Sequence, residues 1–322
     1  MIENICNKLN LGNLISFEVV NGGITNKMYK VITTKGEYAL KIINTSKTNN
    51  INELLDKIEN SEIIANIAVE NSINAVSAIE FNNRYIQKID DNYVLVYNWI
   101  NGNIKLTKEI TLSDIKKVSH EQALLHAINI DNYKTNKMIF RQIHCNFDKY
   151  YNLLKDKDED YLKMFKEKYN EFIKIYEKVY NNYLKLDDKL VFTHKDLNRK
   201  NILWNSDVPY IIDWETALIS DPSIDFFNSI WFLSNDVEEA KFYEYAKEYL
   251  SIMDINISNG VYAGIIEECN WLYFSLTRLF SNDENEINLG IDSIENSLIE
   301  IFNYYEKIPK MLNLLSSITK KH

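Results

Sequence analysis

The sequence predicts an α+β protein with two lobes, a β-rich lobe over residues 1–98 and a larger, mostly helical lobe over residues 99–322. Short apolar runs separated by turn residues dominate the first region, and apolar residues at helical spacing dominate the second. The Asn-Gly-Asn segment at 101–103 breaks the chain between the two patterns. Because 46% of the 322 residues are apolar, the chain can form a sizeable core.

The first lobe is predicted to be a five-stranded antiparallel sheet that carries one helix. Lys35-Gly36 lies between two β-branched runs and predicts a hairpin turn. Apolar residues at helical spacing predict the helix over residues 51–68. Six strand-like runs contribute to this five-stranded prediction: 15–20, 28–34, 37–43, 75–81, 84–89 and 93–100.

The second lobe is predicted to be helical except in one place. Three short strand-like runs fall within residues 190–213, between long amphipathic segments. Ser113 is a candidate N-cap for the first helix of this lobe. The helical segments are predicted at 114–129, 147–186 (one or two helices), 223–252 (with a break), 259–281 and 284–306.

Composition and charge argue against several classes of protein. No apolar run approaches the roughly 20 residues of a membrane span, and the net charge of -10 disfavours nucleic acid as a partner. The three cysteines lie far apart in sequence and have no metal-binding spacing. We therefore expect a cytoplasmic protein with no membrane span and no nucleic acid partner, whose acidity mildly favours a cationic partner. The oligomeric state stays open.

The stretch LVFTHKDLNRKNILWN, residues 190–205, concentrates polar side chains in one loop between apolar runs. Asp196 and Asn201 lie in this loop, and a hairpin formed by the next two runs would bring Asp213 beside Asn201. Two hard oxygen ligands of this kind suit Mg²⁺, which keeps water and phosphate oxygens as its other ligands. Asp196 would then be free to accept a proton from a substrate hydroxyl group.

The order His-x-Asp-x4-Asn, followed by an Asp at the end of an apolar strand, resembles the catalytic signature of the protein-kinase-like fold. The segments IIDWETA at 211–217 and DPSIDF at 221–226 are similar to those of the aminoglycoside phosphotransferase and choline kinase superfamily within that fold. The resemblance covers about residues 15–280, and its specific motifs are short. It implies a kinase that uses Mg²⁺ and ATP or GTP to phosphorylate a hydroxyl group.

The resemblance also implies roles for the residues of the loop. Asp196 corresponds to the catalytic base, and Asn201 and Asp213 correspond to the metal ligands. His194 is expected to support the loop through hydrogen bonds of its imidazole. Asp225 is expected to be a buried carboxylate that accepts backbone N–H bonds from the catalytic loop.

The turn GGITN at 22–26 resembles the Gly-Gly-x-Thr-Asn turn of choline kinase-like enzymes. The adjacent residues Gly22 and Gly23 let backbone amides approach a polyphosphate. Thr25 and Asn26 complete this part of the expected nucleotide site. An ordinary hairpin turn is the alternative interpretation.

Lys41 lies in the run YALKI, on the same face of the predicted strand as Ala39. The resemblance implies that Lys41 holds the α- and β-phosphates of the nucleotide, and a solvent-facing lysine on an edge strand is the alternative. Glu62 is the expected helix partner of Lys41, and Asn98 lies where backbone groups would contact the base. Backbone contacts leave no side-chain signature, so ATP and GTP both stay open.

Acidic and aromatic residues suggest a cationic acceptor. Glu215 follows Asp213 in the segment DWE, and Glu267 and Glu268 lie near Trp271. Carboxylates and aromatic faces hold ammonium groups through charge and cation–π contact, whereas core packing of the aromatic residues is the alternative. We therefore predict a kinase for a small cationic, hydroxyl-bearing amine of aminoglycoside or choline/ethanolamine type. A homoserine, thiamine or sugar kinase of the same fold, or a non-catalytic nucleotide-binding protein, are the alternative functions.

Overall fold

A computed structural model describes residues 1–20, 26–46, 48, 50–133, 138–186 and 189–319. The chain divides into two compact units, and each is made of several segments. The first unit contains the loop of Asp196 as well as the β-rich region, whereas the sequence places a single boundary at residue 98. The first unit is Met1–Leu106, Ile128–Ile139 and His194–Ile219, and the second is Thr107–Ala127, Phe140–Thr193 and Ser220–His322.

The predicted five-stranded antiparallel sheet is confirmed in the first unit. Its strands are β1 (Leu14–Val20), β2 (Lys27–Thr33), β3 (Gly36–Ile43), β4 (Gln87–Ile89) and β5 (Asn92–Asn98). The strand order is β1-β2-β3-β5-β4, and every neighbouring pair is antiparallel. This order makes β3 the central strand of the sheet.

The run at 75–81, which the sequence predicts as a strand, forms only isolated bridges. Its first residue, Ala75, pairs with Ile211, and the N–H of Val76 donates to the carbonyl of Ile211 at 2.9 Å. These backbone groups are therefore used by the segment that leads to Asp213 and are not available to extend the sheet.

Helices pack on both faces of the sheet. Helix α1 (Ile2–Lys8) shares a core with Leu40 and Ile42 of β3, and helix α2 (Ile51–Glu70) shares a core with Ile43. The prediction of a single helix is wrong, because the seven residues of α1 are too few to display a helical period. The Asn50 side chain accepts a hydrogen bond from Glu53 N and caps α2 at its first turn.

The polar loop lies between short strands, as predicted. Strand β6 (Val191–Thr193) precedes the loop, and β7 (Ile202–Asn205) and β8 (Val208–Ile211) follow it as an antiparallel hairpin. The N–H of Ile212 donates to the carbonyl of Asn201 at 3.0 Å. The hairpin therefore sets Asn201 beside the residue that precedes Asp213, and β9 (Leu218–Ser220) follows later.

The second unit is helical. Thr111 caps its first helix in place of the expected Ser113, because Thr111 and Asp114 exchange hydrogen bonds in a capping box. No helix in the described residues is long and apolar enough to cross a membrane. The helices are α3 (Leu112–Ala127), α4 (Phe147–Leu154), α5 (Lys163–Tyr183), α6 (Pro222–Leu233), α7 (Glu239–Leu250), α8 (Ile257–Ala263), α9 (Ile266–Arg278) and α10 (Glu284–Thr319).

Candidate active site

The loop after β6 is organised around His194, whose side chain is fully buried. Its Nε2 atom donates to the carbonyl of Ile212 at 3.0 Å, and its Nδ1 atom accepts from the N–H of Asp196 at 3.3 Å. The hydroxyl of Thr216 donates to the carbonyl of His194 at 3.0 Å, and the Trp214 indole meets the imidazole edge-on at 4.7 Å. This pattern suits a neutral imidazole with its proton on Nε2, which joins both sides of the loop.

The Asp196 carboxylate is held by two side-chain amides. Asn198 Nδ2 donates to its Oδ1 atom at 2.6 Å, and Asn201 Nδ2 donates to its Oδ2 atom at 2.8 Å. Burial raises the pKa of Asp196 above its ordinary value, although the charge of Lys200 and the bond from Asn201 act in the opposite direction. A positioned carboxylate with a raised pKa is a suitable proton acceptor.

Asn198 is a site residue that sequence reasoning missed. Besides binding Asp196, its Oδ1 atom accepts a hydrogen bond from the N–H of Lys200 at 3.1 Å and so caps a short 3₁₀ turn. An Asn in a polar loop that caps the next turn is a recognisable pattern. The sequence alone did not indicate that its amide would also face the carboxylate of Asp196.

Lys41 lies at the centre of the sheet and contacts the carboxylates of Asp213 and Glu215. It pairs across the strands with Met28 and Leu95, and only 6% of the residue is exposed. The edge-strand alternative is therefore wrong. Lys41 Nζ lies 2.8 Å from Asp213 Oδ1 and also forms an ion pair with Glu215.

The charges of Lys41, Asp213 and Glu215 determine the pKa values of Lys41 and Asp213. Burial lowers the pKa of Lys41, but the negative charges of Asp213 and Glu215 and their hydrogen bonds outweigh burial and raise the pKa overall. For Asp213 the two effects have the opposite signs. Burial alone would raise its pKa, but the charge of Lys41 outweighs burial, so the pKa is lowered overall. Both groups are therefore charged at neutral pH.

Asp213 has a left-handed backbone conformation, with φ 61° and ψ 61°. Aspartate tolerates this region better than most residues, although it still carries strain. The chain turns here from β8 into a 3₁₀ turn, Trp214–Thr216. Glu215 on this turn thereby reaches Lys41, in the first unit, whereas the sequence assigned Glu215 to the acceptor site.

Glu62 contacts groups other than Lys41. Its Oε1 atom accepts from the hydroxyl of Tyr97 at 2.6 Å, and its Oε2 atom accepts from the N–H of Ala78 at 2.8 Å. Burial raises the pKa of Glu62 to about 7, against the lowering effects of both hydrogen bonds and of the charge of Lys41. Among the described residues, the carboxylates that form ion pairs with Lys41 are those of Asp213 and Glu215, not that of Glu62.

Tyr97 is a second residue that sequence reasoning missed. It lies opposite Ala39 in the register of β3 and β5, and therefore on the face of the sheet that carries Lys41. Strand alternation could have placed it there only if the register between the two strands had been known. Asn98 ends β5 opposite Tyr38 and is exposed.

The glycine turn is only partly described. The predicted nucleotide residues Gly22, Gly23 and Thr25 lie outside the described residues. Asn26 is described, and its Nδ2 atom donates to Glu215 Oε1 at 2.5 Å. Its Oδ1 atom accepts from the N–H of Asn44 at 2.9 Å. Asn26 therefore lies in the same cluster as Lys41.

The donor chemistry of Asn201 and Asp213 suits Mg²⁺. The described residues contain no group of three or more His, Cys, Asp and Glu side chains that could hold a metal ion, so such a site would need the Asn201 amide. The Asn201 nitrogen already binds Asp196, which leaves its oxygen as the remaining polar atom. An ionised carboxylate and an amide oxygen are the few hard ligands that Mg²⁺ takes from a protein.

Asp225 lies in the second unit, at the start of α6, and is buried. Its Oδ2 atom accepts hydrogen bonds from Gln122 Nε2 at 3.1 Å and from His126 Nε2 at 3.0 Å. His126 in turn contacts the hydroxyl of Tyr249 through Nδ1 at 2.5 Å. These bonds join α3, α6 and α7 within the second unit, and support of the catalytic loop by Asp225 stays a prediction.

The remaining acceptor candidates lie on α9 in the second unit. The guanidinium of Arg278, seven residues further along the helix, lies 4.7 Å from the centre of the Trp271 ring. Burial raises the pKa of Glu268, which also forms a hydrogen bond with Ser297 on α10. Trp271 thus already contacts a cation of the chain itself, and Glu267 occupies the first turn of α9 beside Glu268.

Comparisons with known proteins agree on the fold. The model of the APH phosphotransferase enzyme family matches residues 16–255. A spectinomycin phosphotransferase solved with ADP and spectinomycin is 13% identical, with a TM-score of 0.69, and the match covers 94% of this chain and 97% of that one. None of the curated protein sequences matches.

Two further solved structures have the same fold. An ethanolamine kinase from Plasmodium vivax is 20% identical, with a TM-score of 0.59 and coverage of 90% of this chain and 82% of that one. A choline kinase from Cryptosporidium parvum is 15% identical, with a TM-score of 0.60 and coverage of 99% and 98%. At these identities the likeness establishes the fold and leaves the acceptor open.

Proposed function

Because the chain belongs to the APH phosphotransferase enzyme family, we propose that it transfers the γ-phosphoryl group of ATP or GTP to a hydroxyl group of a small amine-bearing acceptor. The family and the fold make it a phosphotransferase that acts on hydroxyl acceptors. The nucleotide, the metal ion, the acceptor and the residue roles below belong to the proposal.

The observation that carries the proposal is the ion pair between Lys41 and Asp213, whose Nζ and Oδ1 atoms lie 2.8 Å apart. It brings a buried ammonium group to the carboxylate of Asp213, which follows the β7–β8 hairpin. Asp196 and Asn201 belong to the same compact unit and are hydrogen-bonded to each other. A phosphoryl-transfer site needs this combination of a cation, hard oxygen ligands and a proton acceptor.

Each residue has a distinct task in this reaction. Asp196 accepts the proton of the acceptor hydroxyl as the oxygen attacks phosphorus, and Asn198 and Asn201 hold its carboxylate in place. Lys41 binds phosphate oxygens of the donor and offsets their charge. Asn201 and Asp213 would hold Mg²⁺, which supplies further positive charge at the phosphates when bound. A positioned base contributes about 10²–10⁴-fold in rate.

An amine-bearing acceptor is supported by charge and by the relatives. The chain carries a net charge of -10, which favours a cationic substrate over an anionic one. Solved structures of the same fold include kinases named for spectinomycin, ethanolamine and choline. Amine-bearing alcohols are therefore the first acceptors to test.

The test is an ADP-release assay over choline, ethanolamine and a panel of aminoglycosides that includes spectinomycin, with GTP tested in parallel. The neutral carbon isostere of choline, in which a tert-butyl group replaces the trimethylammonium group, is the matched control for charge. We expect turnover with at least one amine and a loss of at least ~10-fold in kcat/KM when its positive charge is removed.

The variant Asp196→Asn is the matched control for background hydrolysis, because it keeps the size of the side chain and removes the base. Turnover of neutral sugars or alcohols alone would contradict the amine part of the proposal. Absence of any acceptor-dependent ADP release, with both nucleotides and the whole panel, would contradict the catalytic part.

A further inference from the structure

Glu215 joins three segments of the first unit. Its carboxylate forms an ion pair with Lys41 on β3, and its Oε1 atom accepts a hydrogen bond from Asn26 at 2.5 Å. Asn26 immediately precedes β2 and also accepts the N–H of Asn44, which follows β3. One carboxylate thus connects the 3₁₀ turn after Asp213 with both ends of the β2–β3 region.

The side chain of Glu215 is less exposed than that of Asp213, at 28% against 48%. A buried ammonium group such as Lys41 needs a counter-charge, because an unpaired charge in the interior is costly. Glu62 does not supply this counter-charge through an ion pair, since its two oxygens accept hydrogen bonds from Tyr97 and from the backbone N–H of Ala78. Asp213 and Glu215 therefore both act as counter-charges for Lys41 in this structure.

The contribution of Asp213 to pairing with Lys41 would change if Asp213 served as a metal ligand. An Asp213 carboxylate that binds a cation is a weaker counter-charge for Lys41, because its own charge is then offset. Glu215 would remain as the carboxylate that holds the ammonium group. This reasoning rests on the proposed function, because the metal ion at Asp213 is part of that proposal.

We propose that Glu215 is a positioning residue of the nucleotide site, which orients Lys41 for the donor phosphates and fixes the side chain of Asn26 at the start of β2. It does not contact the acceptor. Glu215 also lines, with Asn26 and Asn44, a small cavity of about 110 Å³ in the first unit. Water can enter such a space when the side chain is shortened, so substitutions at this position are expected to be compatible with folding.

Three substitutions separate the two contacts. Glu215→Gln keeps an oxygen that can accept from Asn26 but removes the charge that pairs with Lys41. Asn26→Ala removes the hydrogen bond between residue 26 and Glu215 and keeps the charge of Glu215. Glu215→Ala removes both. Folding of each variant is checked by thermal melting before any binding measurement.

The primary measurement is ADP affinity without metal, by calorimetry in EDTA, because it reports contacts between the protein and the phosphates independently of turnover. We expect Glu215→Ala to weaken ADP binding by at least ~10-fold although Asp213 still pairs with Lys41, because this variant also loses the hydrogen bond from Asn26. The expected loss is that of one hydrogen bond to a charged group. Glu215→Gln should weaken ADP binding less than Glu215→Ala does. In a Lys41→Met background, Glu215→Gln should have no further effect on ADP affinity.

Steady-state kinetics supply the second readout. A positioning role raises the KM of the nucleotide and leaves the KM of the acceptor unchanged, whereas an acceptor contact does the reverse. A changed Mg²⁺ requirement with unchanged metal-free ADP affinity would make Glu215 a metal ligand and overturn the inference. Tighter ADP binding in Glu215→Gln would also overturn it, because Glu215 would then compete with the phosphates for Lys41.

Different binding results would contradict this inference and the proposed function. Wild-type protein that binds ADP and whose Glu215 variants bind it equally well contradicts the inference alone. Wild-type protein that binds no ADP or GDP, with or without Mg²⁺, contradicts both.

Discussion

The Nζ atom of Lys41 lies 2.8 Å from the Oδ1 atom of Asp213, although the two residues are 172 positions apart in the chain. The ion pair connects the centre of the five-stranded sheet with the end of the β7–β8 hairpin, inside one compact unit. It raises the pKa of Lys41 despite burial, so the ammonium group stays charged.

Replacement of Asp196 by Ala should leave nucleotide binding nearly intact and reduce kcat by at least ~10²-fold. The carboxylate acts only on the proton of the acceptor, so its loss affects the transition state more than the bound donor. Calorimetry with Mg-ATP and the ADP-release assay measure the two quantities. Retained turnover in this variant would remove Asp196 from the role of base.

Replacement of Asp213 by Ala should weaken nucleotide binding in the presence of Mg²⁺ by at least ~10-fold, or about 1.4 kcal/mol. The affinity for metal-free ADP should change less, because Lys41 keeps Glu215 as its ion-pair partner. Parallel titrations with and without EDTA separate the two effects. Equal losses in both titrations would argue against Asp213 as a metal ligand.

Glu62 should make stability depend on pH. Its folded-state pKa of about 7 is raised above the ordinary value of 4.5, so the folded protein retains a proton that the unfolded chain releases between these values. Stability from this group is present below the ordinary value and is lost as the pH rises through about 7. A shift of this size corresponds to roughly 3 kcal/mol.

The variant Glu62→Gln tests this by removing the titration while keeping an oxygen for the N–H of Ala78. We expect its melting temperature, relative to wild type, to rise by several degrees between about pH 5 and about pH 8. A difference between the two proteins that stays constant over this range would show that Glu62 does not titrate in the folded state.

Asp225 should contribute mainly to the stability of the second unit. Its replacement by Ala leaves Nε2 of His126 without this acceptor, at a cost of about 1–3 kcal/mol for the stranded group. Gln122 Nε2 loses one acceptor but keeps its hydrogen bond to Ser229 Oγ. Asp225→Asn, which keeps one side-chain oxygen, should lose less stability than Asp225→Ala. Urea denaturation measures the difference, and equal stability of Asp225→Ala and wild type would contradict the expectation.

The sequence by itself determined the sheet, the β7–β8 hairpin and the reaction class. These depend on patterns that are local, such as the alternation along β3, the apolar run of β5, the turn between β7 and β8, and the spacing from His194 to Asn201. Backbone preferences and hydrophobic periodicity act over a few residues, so they can be read without knowing what lies nearby in space.

Only the tertiary structure decided which partner each charged group has. Lys41 contacts Asp213 and Glu215, Glu62 contacts Tyr97, and the face of Trp271 contacts Arg278. The first two relationships depend on strand register and on segments distant in the chain. A buried charge takes the counter-charge that packing brings within reach, and the strength of that contact varies with ångström distances that no local pattern specifies.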